Sequence, residues 1–249
     1  MSKAKRCNLK AACEFLREND DFLILTHAMP DGDTLGSSYA LCAGLQKMGK
    51  NAKVICADKI PAQYGYFTDK IVFSEFEEKT IISVDVADIK LLGSIAEQYE
   101  DKIAFAIDHH ISHRDFAKML FLDGTAAASC ECIYDILREL SVPLDTVMAS
   151  ALYTGIATDT GCFKFSNTSP KTHVIAAELM EYDIDVAEIN RIMFDTKSKG
   201  RMSIEKAALR NVELCLDERL AVMPVTIKMM RESGCDNSDL DGITAIPRS

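Results

Sequence analysis

Residues 22–57 read FLILTHAMPDGDTLGSSYALCAGLQKMGKNAKVICA. The stretch opens on four apolar residues, FLIL at 22–25, crosses a polar loop, and closes on AKVICA at 52–57. Between these runs Leu41, Leu45 and Met48 recur at the spacing of one helix face, which predicts a helix from about Gly36 to Met48. The order is therefore strand, helix, strand. Further apolar runs at TIISV (80–84), KIAFAI (102–107) and KMLFL (118–122) carry the same strand signal, while 127–140 and 144–157 are amphipathic and of helix length. Strands alternating with helices predict an α/β fold: a mostly parallel sheet with helices on both faces.

The chain of 249 residues is long enough for one large domain or two modest ones, and its 48% hydrophobic content suffices for a real core. Lys and Arg number 28 against 38 Asp and Glu, a formal net charge of −10. Phosphate-backbone binding needs clustered Lys and Arg, so long duplex nucleic acid is disfavoured as a partner. A small anionic substrate is compatible where cations offset local carboxylates. The nine cysteines form no CxxC pair, and the nearest two, Cys130 and Cys132, sit in an apolar stretch. Scattered thiols in a chain of this length suit a reducing cytosol. The opening MSKAKRCNLKAACEFL has no apolar core of signal-peptide length, and no run approaches a membrane span. A soluble, cytoplasmic protein is expected.

Past residue 170 the pattern changes. Residues 170–181 and 185–195 suit helices, the first opened by Ser169 and Pro170 as N-cap and first helical residue. KSKGRMSIEKAALRN (197–211) suits a solvated connector leading into a helix, followed by strand-like VELCL and RLAVMPVTI. The expected division is a first α/β domain over 1–190, a linker over 191–206, and a partial second α/β domain over 207–249.

Chemistry-bearing residues follow the strands. FLILT runs into His27, Asp31 and Asp33, TIISV into Asp85, and KIAFAI into Asp108, His109 and His110. In an open α/β sheet the carboxyl ends of the strands line the ligand crevice, so three strands deliver acids and imidazoles to one edge. Asp159, in ATDTG, is the expected fourth contribution. Carboxylate oxygens with a minority of imidazole nitrogens suit manganese or another octahedral divalent ion rather than zinc or an iron–sulfur cluster. Four aspartates overcharge a single ion. Two ions sharing a carboxylate, roughly 3.5–4 Å apart, balance them and suit phosphate-ester hydrolysis. Taken singly, Asp85 reads as a turn residue and Asp33 as a cap of the helix near Gly36. Alone, His113 reads as a surface or supporting group and His173 as structural.

HAMPDGD, SVDVAD, AIDHH and ATDTGCFKFSNTS resemble, in that order, the four motifs of the DHH phosphoesterases, the superfamily of RecJ exonuclease and family II inorganic pyrophosphatase. The likeness covers roughly residues 5–190. It is strongest to the stand-alone branch of small oligoribonucleases and 3′-phosphoadenosine 5′-phosphate phosphatases, related to cyclic-dinucleotide phosphodiesterases. The resemblance implies His27 and Asp31 on one metal ion, Asp33, His109 and Asp159 on a second, and Asp85 bridging both, with two divalent ions, Mn2+ or else Mg2+ or Co2+. It implies His110 toward the substrate phosphate and Asp108 as a catalytic support that orients a ligand or histidine. Gly36 and Ser37 would open the helix where free amides receive an anion, and Ser166 and Asn167 would line the substrate side. The implied partner is a small nucleotide or short oligonucleotide.

The sequence also departs from the family pattern. The family continues into a small domain with a glycine-rich GGxH-type loop that grips the substrate, and this sequence has no such loop. The chain therefore reads as truncated, which opens a rival role as a weak hydrolase or regulatory module whose unfinished strands pair with another chain, a homodimer included. Lys164-Phe165 stands where relatives often have Arg-Tyr. DGDTL at 31–35 also resembles the nucleophile loop of haloacid-dehalogenase-type phosphatases, but there the nucleophile directly ends the strand. Here THAMP intervenes, and His27 and AIDHH would have no role.

Overall fold

A computed structural model describes residues 4–236, 238–240 and 242–248. They fall into two compact units, divided between Phe194 and Asp195.

The first unit is built on six strands: β1 (Lys5–Cys7), β2 (Phe22–Leu25), β3 (Ala52–Ile55), β4 (Thr80–Val84), β5 (Phe105–Asp108) and β6 (Met119–Leu122). Their spatial order is β1-β6-β5-β4-β2-β3, and every neighbouring pair is parallel. The helices are α1 (Leu9–Glu18), α2 (Gly32–Lys47), the one-turn α3 (Gly65–Thr68) and α4 (Ala96–Tyr99), α5 (Ser129–Glu139), α6 (Thr146–Asp159), α7 (Pro170–Met180) and α8 (Val186–Asn190). All four residues of β2 are buried because the sheet is covered on both sides. Phe22 and Ile24 join the larger core, with residues of α1, α2, α5, α6 and α7. Leu23 and Leu25 point the other way, toward Leu92, Tyr99 and Ile103. Each such side chain contributes roughly 1.5–3 kcal/mol when fully buried.

Two elements escape the sequence pattern. β1 is a short edge strand whose Lys5 and Arg6 are exposed, so it shows no apolar run. It pairs through backbone alone, Lys5 opposite Met119. Helix α2 begins at Gly32, four residues before the expected start, because Asp31 caps it. Gly36 and Ser37 therefore lie in its second turn with no free amides for an anion. Ser37 is fully buried, and its hydroxyl donates to the Asp33 carbonyl at 2.5 Å.

Helix α2 is buried nearly all round from Gly32 to Leu45, and α6 from Met148 to Ala157. Such helices meet at close range only where side chains are small. A Cβ on Gly36 would lie 2.3 Å from the Ala151 carbonyl oxygen, and one on Gly155 would lie 2.2 Å from Cys130 Sγ and 2.9 Å from Asp33 Oδ1. The missing methyl groups set the helix separation and, with it, the distance from Asp33 to Asp159.

The second unit holds α9 (Lys199–Leu209), an antiparallel hairpin of β7 (Glu213–Cys215) and β8 (Leu220–Val222), and α10 (Ile227–Ser233). Ile204 and Ala208, one turn apart on α9, are buried with Ile243. Residues 191–206, the expected linker, hold a π-helical turn over Arg191–Asp195 and most of α9. The charges that suggested a solvated connector pair along the helix surface, Lys197 and Arg201 both on Glu205 at 2.7 and 2.5 Å.

Gly36→Ala is expected to lower the unfolding free energy by about 1–3 kcal/mol in urea denaturation, although Ala normally gains about 1 kcal/mol over Gly inside a helix. An equal or higher stability would refute the close approach of α2 to α6.

Candidate metal centre

Strands β2 and β4 are neighbours, but the chain continues outward from them in opposite directions, to β3 on one side and β5 on the other. At such a reversal the connections diverge and leave a crevice at the carboxyl ends. His27 follows β2, Asp85 follows β4, and Asp108, His109 and His110 end and follow β5. Asp85 leaves its strand in the left-handed region, φ 61°, while its N–H still donates to the Ile107 carbonyl at 3.0 Å. Asp is among the few residues that enter that region at modest cost.

Asp31 and Asp33 have divided duties. Asp31 caps α2: its Oδ1 accepts from the amides of Asp33 and Thr34, both at 3.0 Å. Asp33 is 1% exposed and caps a different helix. Its Oδ2 accepts from Ser129 N at 2.6 Å and its Oδ1 from Cys130 N at 2.9 Å, at the start of α5. Ala128 holds the N-cap position of α5 and has no polar side chain to offer, so a carboxylate from α2 does the capping. Ser129 Oγ donates to Asp85 Oδ1 at 2.9 Å. Nothing in the sequence singles out Ser129. A helix start lacking its own polar cap is the one local hint.

These elements bring all six residues expected as metal ligands together. His27 Nε2 is 3.6 Å from Asp31 Oδ2 and 3.7 Å from Asp85 Oδ2. His109 Nε2 is 3.8 Å from Asp33 Oδ2, 3.8 Å from Asp85 Oδ1 and 3.6 Å from Asp159 Oδ2. Asp159 arrives from the last residue of α6, not from a loop beyond it. Three overlapping sets thus form, His27–Asp31–Asp85, Asp33–His109–Asp159 and Asp85–His109–His110, each with ligand atoms close enough to share one ion. Asp85 turns one oxygen to each imidazole.

The ring nitrogens test whether the donor set fits a cation. His27 Nδ1 lies 2.8 Å from the Ala28 carbonyl and His109 Nδ1 lies 3.2 Å from the Ala126 carbonyl. Each carbonyl needs a donor, so both rings carry hydrogen on Nδ1 and turn Nε2 toward the carboxylates. His109 Nε2 is buried and has no hydrogen-bond partner. A lone pair facing three carboxylates is repulsive unless a proton or a metal ion lies between, and nitrogen with carboxylate oxygen suits manganese or a similar divalent ion.

The charges respond to this crowding. Burial opposes a charge on His27, but the carboxylates of Asp31 and Asp85 outweigh it and lift the imidazole to about 11. Burial, then the charges of Asp85, Asp159 and Asp31, push Asp33 well above the usual carboxylate range. Burial raises Asp159 to about 6, with His109 opposing and Asp85 adding to the rise. The Cys130 thiol beside Asp33 is also driven far up, by burial first and by Asp33 second.

Asp108 lies behind this cluster, fully buried. Its Oδ1 accepts from His109 N at 2.7 Å, His110 N at 3.1 Å and His110 Nδ1 at 2.8 Å. That carboxylate lifts His110 to about 9 against the effect of burial. His113 is buried too, its Nε2 3.9 Å from Asp108 Oδ2, and burial lowers its pKa. His173 stacks on Phe163, ring centroids 5.2 Å apart.

A cavity of about 270 Å³ opens over the cluster, lined by His27, Ala28, Met29, Asp31, Asp85, Leu91, His110 and Asp159. Ser37, Ser166 and Asn167, expected on the substrate side, do not line it. Asn167 Nδ2 instead donates to the carbonyls of Ala127 and Asp159 at 3.0 and 3.1 Å, tying the approach to α5 to the end of α6. Ser166 is exposed.

The chain is 33% identical over 186 residues to the bifunctional oligoribonuclease and PAP phosphatase NrnA of Thermus thermophilus, covering 72% of this chain and 56% of that protein. It is 28% identical over 183 residues to the Bacillus subtilis protein of the same name, covering 72% and 58%. The chain thus spans little more than half the length of these relatives. Among solved structures, an exopolyphosphatase-related protein from Bacteroides fragilis shares the fold with a TM-score of 0.86 at 22% identity, over 97% of this chain and 76% of that one. A putative family II inorganic pyrophosphatase from Methanococcus jannaschii shares it with a TM-score of 0.52 at 19% identity, over 75% and 65%. The description "DHH family, N-terminal domain" matches residues 21–156, a segment that holds every acid and imidazole of the cluster except Asp159. By that match the chain belongs to the DHH family.

Proposed function

We propose that this chain is a metal-dependent hydrolase of phosphoester bonds in small nucleotides or short oligonucleotides. His27, Asp31 and Asp85 would hold one divalent ion and Asp33, His109 and Asp159 a second, with Asp85 placed to serve both. The observation that carries this reading is the position of Asp85, with Oδ2 3.7 Å from His27 Nε2 and Oδ1 3.8 Å from His109 Nε2. A carboxylate turned to two imidazoles at once is the shape of a bridging ligand. Bound there, divalent ions supply Lewis acidity, polarising a phosphoryl oxygen and lowering the pKa of water.

The protein's own groups do the rest. His110 has its Nδ1 committed to Asp108, so its Nε2 is the nitrogen left for substrate, and the side chain is 44% exposed on the cavity. Asp108 lifts this ring to about 9 in the metal-free chain, and that same contact supports a protonated ring that donates to a phosphoryl or leaving oxygen. Met29 and Leu91 give the cavity an apolar lip, 72% and 46% exposed, which suits a base or sugar better than a bare phosphate. The net charge of −10 speaks against long nucleic acid, and the names of the curated relatives point to oligoribonucleotides and PAP as substrates. No helix among the described residues is long and apolar enough to cross a membrane. The nine cysteines are free thiols, which suits the cytoplasm.

His109→Ala should lower manganese-dependent hydrolysis of bis-p-nitrophenyl phosphate by about 1,000-fold or more while far-UV circular dichroism stays native. Full retention of activity would refute the metal assignment. Metal binding must also displace protons, because His27 stands at about 11 and Asp159 at about 6 in the metal-free chain. Manganese affinity should therefore rise as pH increases from about 5 to about 8, with protons released on binding. Calorimetry in two buffers of different ionisation heat measures the release, and a pH-independent affinity without release would overturn the prediction.

A further inference from the structure

His113 lies outside the metal cluster, on the loop after β5. It is nonetheless more deeply buried than any imidazole of the centre, with its side chain 0% exposed. Its ring stacks on Phe116, centroids 4.8 Å apart at 25°. The loop is held from several sides: His113 N donates to the His110 carbonyl at 3.0 Å, Arg114 N donates to the Ala87 carbonyl at 2.9 Å, and Asp115 pairs with Arg6 at 3.4 Å. Asp115 N donates to His113 Nδ1 at 2.9 Å. A nitrogen that accepts carries no hydrogen, so the neutral ring has its proton on Nε2.

That N–H faces Asp108 Oδ2 at 3.9 Å. Both atoms are buried and neither has a hydrogen-bond partner. The other oxygen of Asp108 is fully engaged, by two backbone amides and by His110 Nδ1. The two unsatisfied atoms thus lie 3.9 Å apart, a gap that a small movement of either side chain closes. A buried polar atom without a partner is costly, so closure is favoured.

We infer that His113 is a positioning residue for His110: its Nε2–H holds Oδ2 of Asp108, which keeps Oδ1 aimed at the His110 ring and so directs His110 Nε2 into the cavity. The inference rests on the reading of His110 as the imidazole that meets substrate. In a merely structural role, His113 fills the space beneath its loop and stacks on Phe116. A phenylalanine would do both.

The test compares His113→Phe, which keeps the ring and the stacking, with His113→Gln, which keeps a donor. The first readout needs no activity: in the metal-free chain the Nδ1 proton of His110 should appear in NMR as a protected downfield resonance. It should exchange about 10-fold faster or vanish in His113→Phe and persist in His113→Gln. The second is kinetic: His113→Phe should lower kcat on bis-p-nitrophenyl phosphate by about 10–100-fold with KM and manganese affinity within about 3-fold, and His113→Gln should recover most of it. A folded His113→Phe chain with an unchanged His110 proton overturns the inference. So does a loss in which manganese affinity falls in step with kcat, or one that His113→Gln fails to restore. If the wild-type chain hydrolyses no diester, the proposed function fails, while the NMR comparison still decides the role of His113.

Discussion

The carboxylate of Asp33 is 1% exposed, and an isolated charge at that depth would cost several kcal/mol. What makes it tolerable is the start of α5, whose first amides donate to both of its oxygens and whose dipole presents positive charge there. The bond ties α2 to α5. It also leaves no room beside it: the backbone of α6 passes so near that residue 155 has to be glycine. The location of Asp33, the spacing of α2, α5 and α6, and the approach of Asp159 are therefore one constraint seen from several sides.

Around that anchor the fold assembles charges that oppose one another. Asp31, Asp33, Asp85 and Asp159 converge on His27 and His109, with His110 Nδ1 a further 3.5 Å from Asp85 Oδ1. A protein selected for stability alone would not gather four carboxylates at one strand edge, and the raised pKa values of Asp33 and Asp159 express the cost. The sign can be followed with pH. Asp159, raised from 3.8 to about 6, contributes stability that is fully present below 3.8 and is lost as pH rises through about 6. His27, protonated to about 11, contributes stability that is fully present below its ordinary pKa of 6.5 and is lost progressively as pH rises to about 11. At neutral pH a held proton on His27 partly substitutes for a cation.

Much of this was legible in the residues. The runs at 22–25, 80–84 and 118–122 are strands because they are apolar enough to be covered on both faces. The acids and histidines converge because parallel strands all end at the same edge. Other features depend on partners distant in sequence. The start of α2 was hidden because Gly32, Asp33, Gly36 and Ser37 are weak helix formers, and the turn holds through the Asp31 cap and burial against α6. Asn167 carries a polar side chain near a motif, yet its amide is spent on two main-chain carbonyls. β1 is a strand only because β6 offers it an edge. In α9 the buried pair Ile204 and Ala208 is spaced one turn apart but set among charges that dominate the pattern.

Cys130 occupies the wall of the centre, its sulfur within 3.7 Å of the Asp33 carbonyl oxygen. A thiolate in that place would be a soft ligand and would turn the selectivity toward copper(I) or zinc. Burial and the neighbouring Asp33 charge hold it as a thiol. A protonated sulfur neither ligates nor reacts readily with peroxide, because the thiolate is the reactive form in both cases. Burial, helped by the same carboxylate that anchors the helices, thus keeps Cys130 out of the donor set and resistant to oxidation.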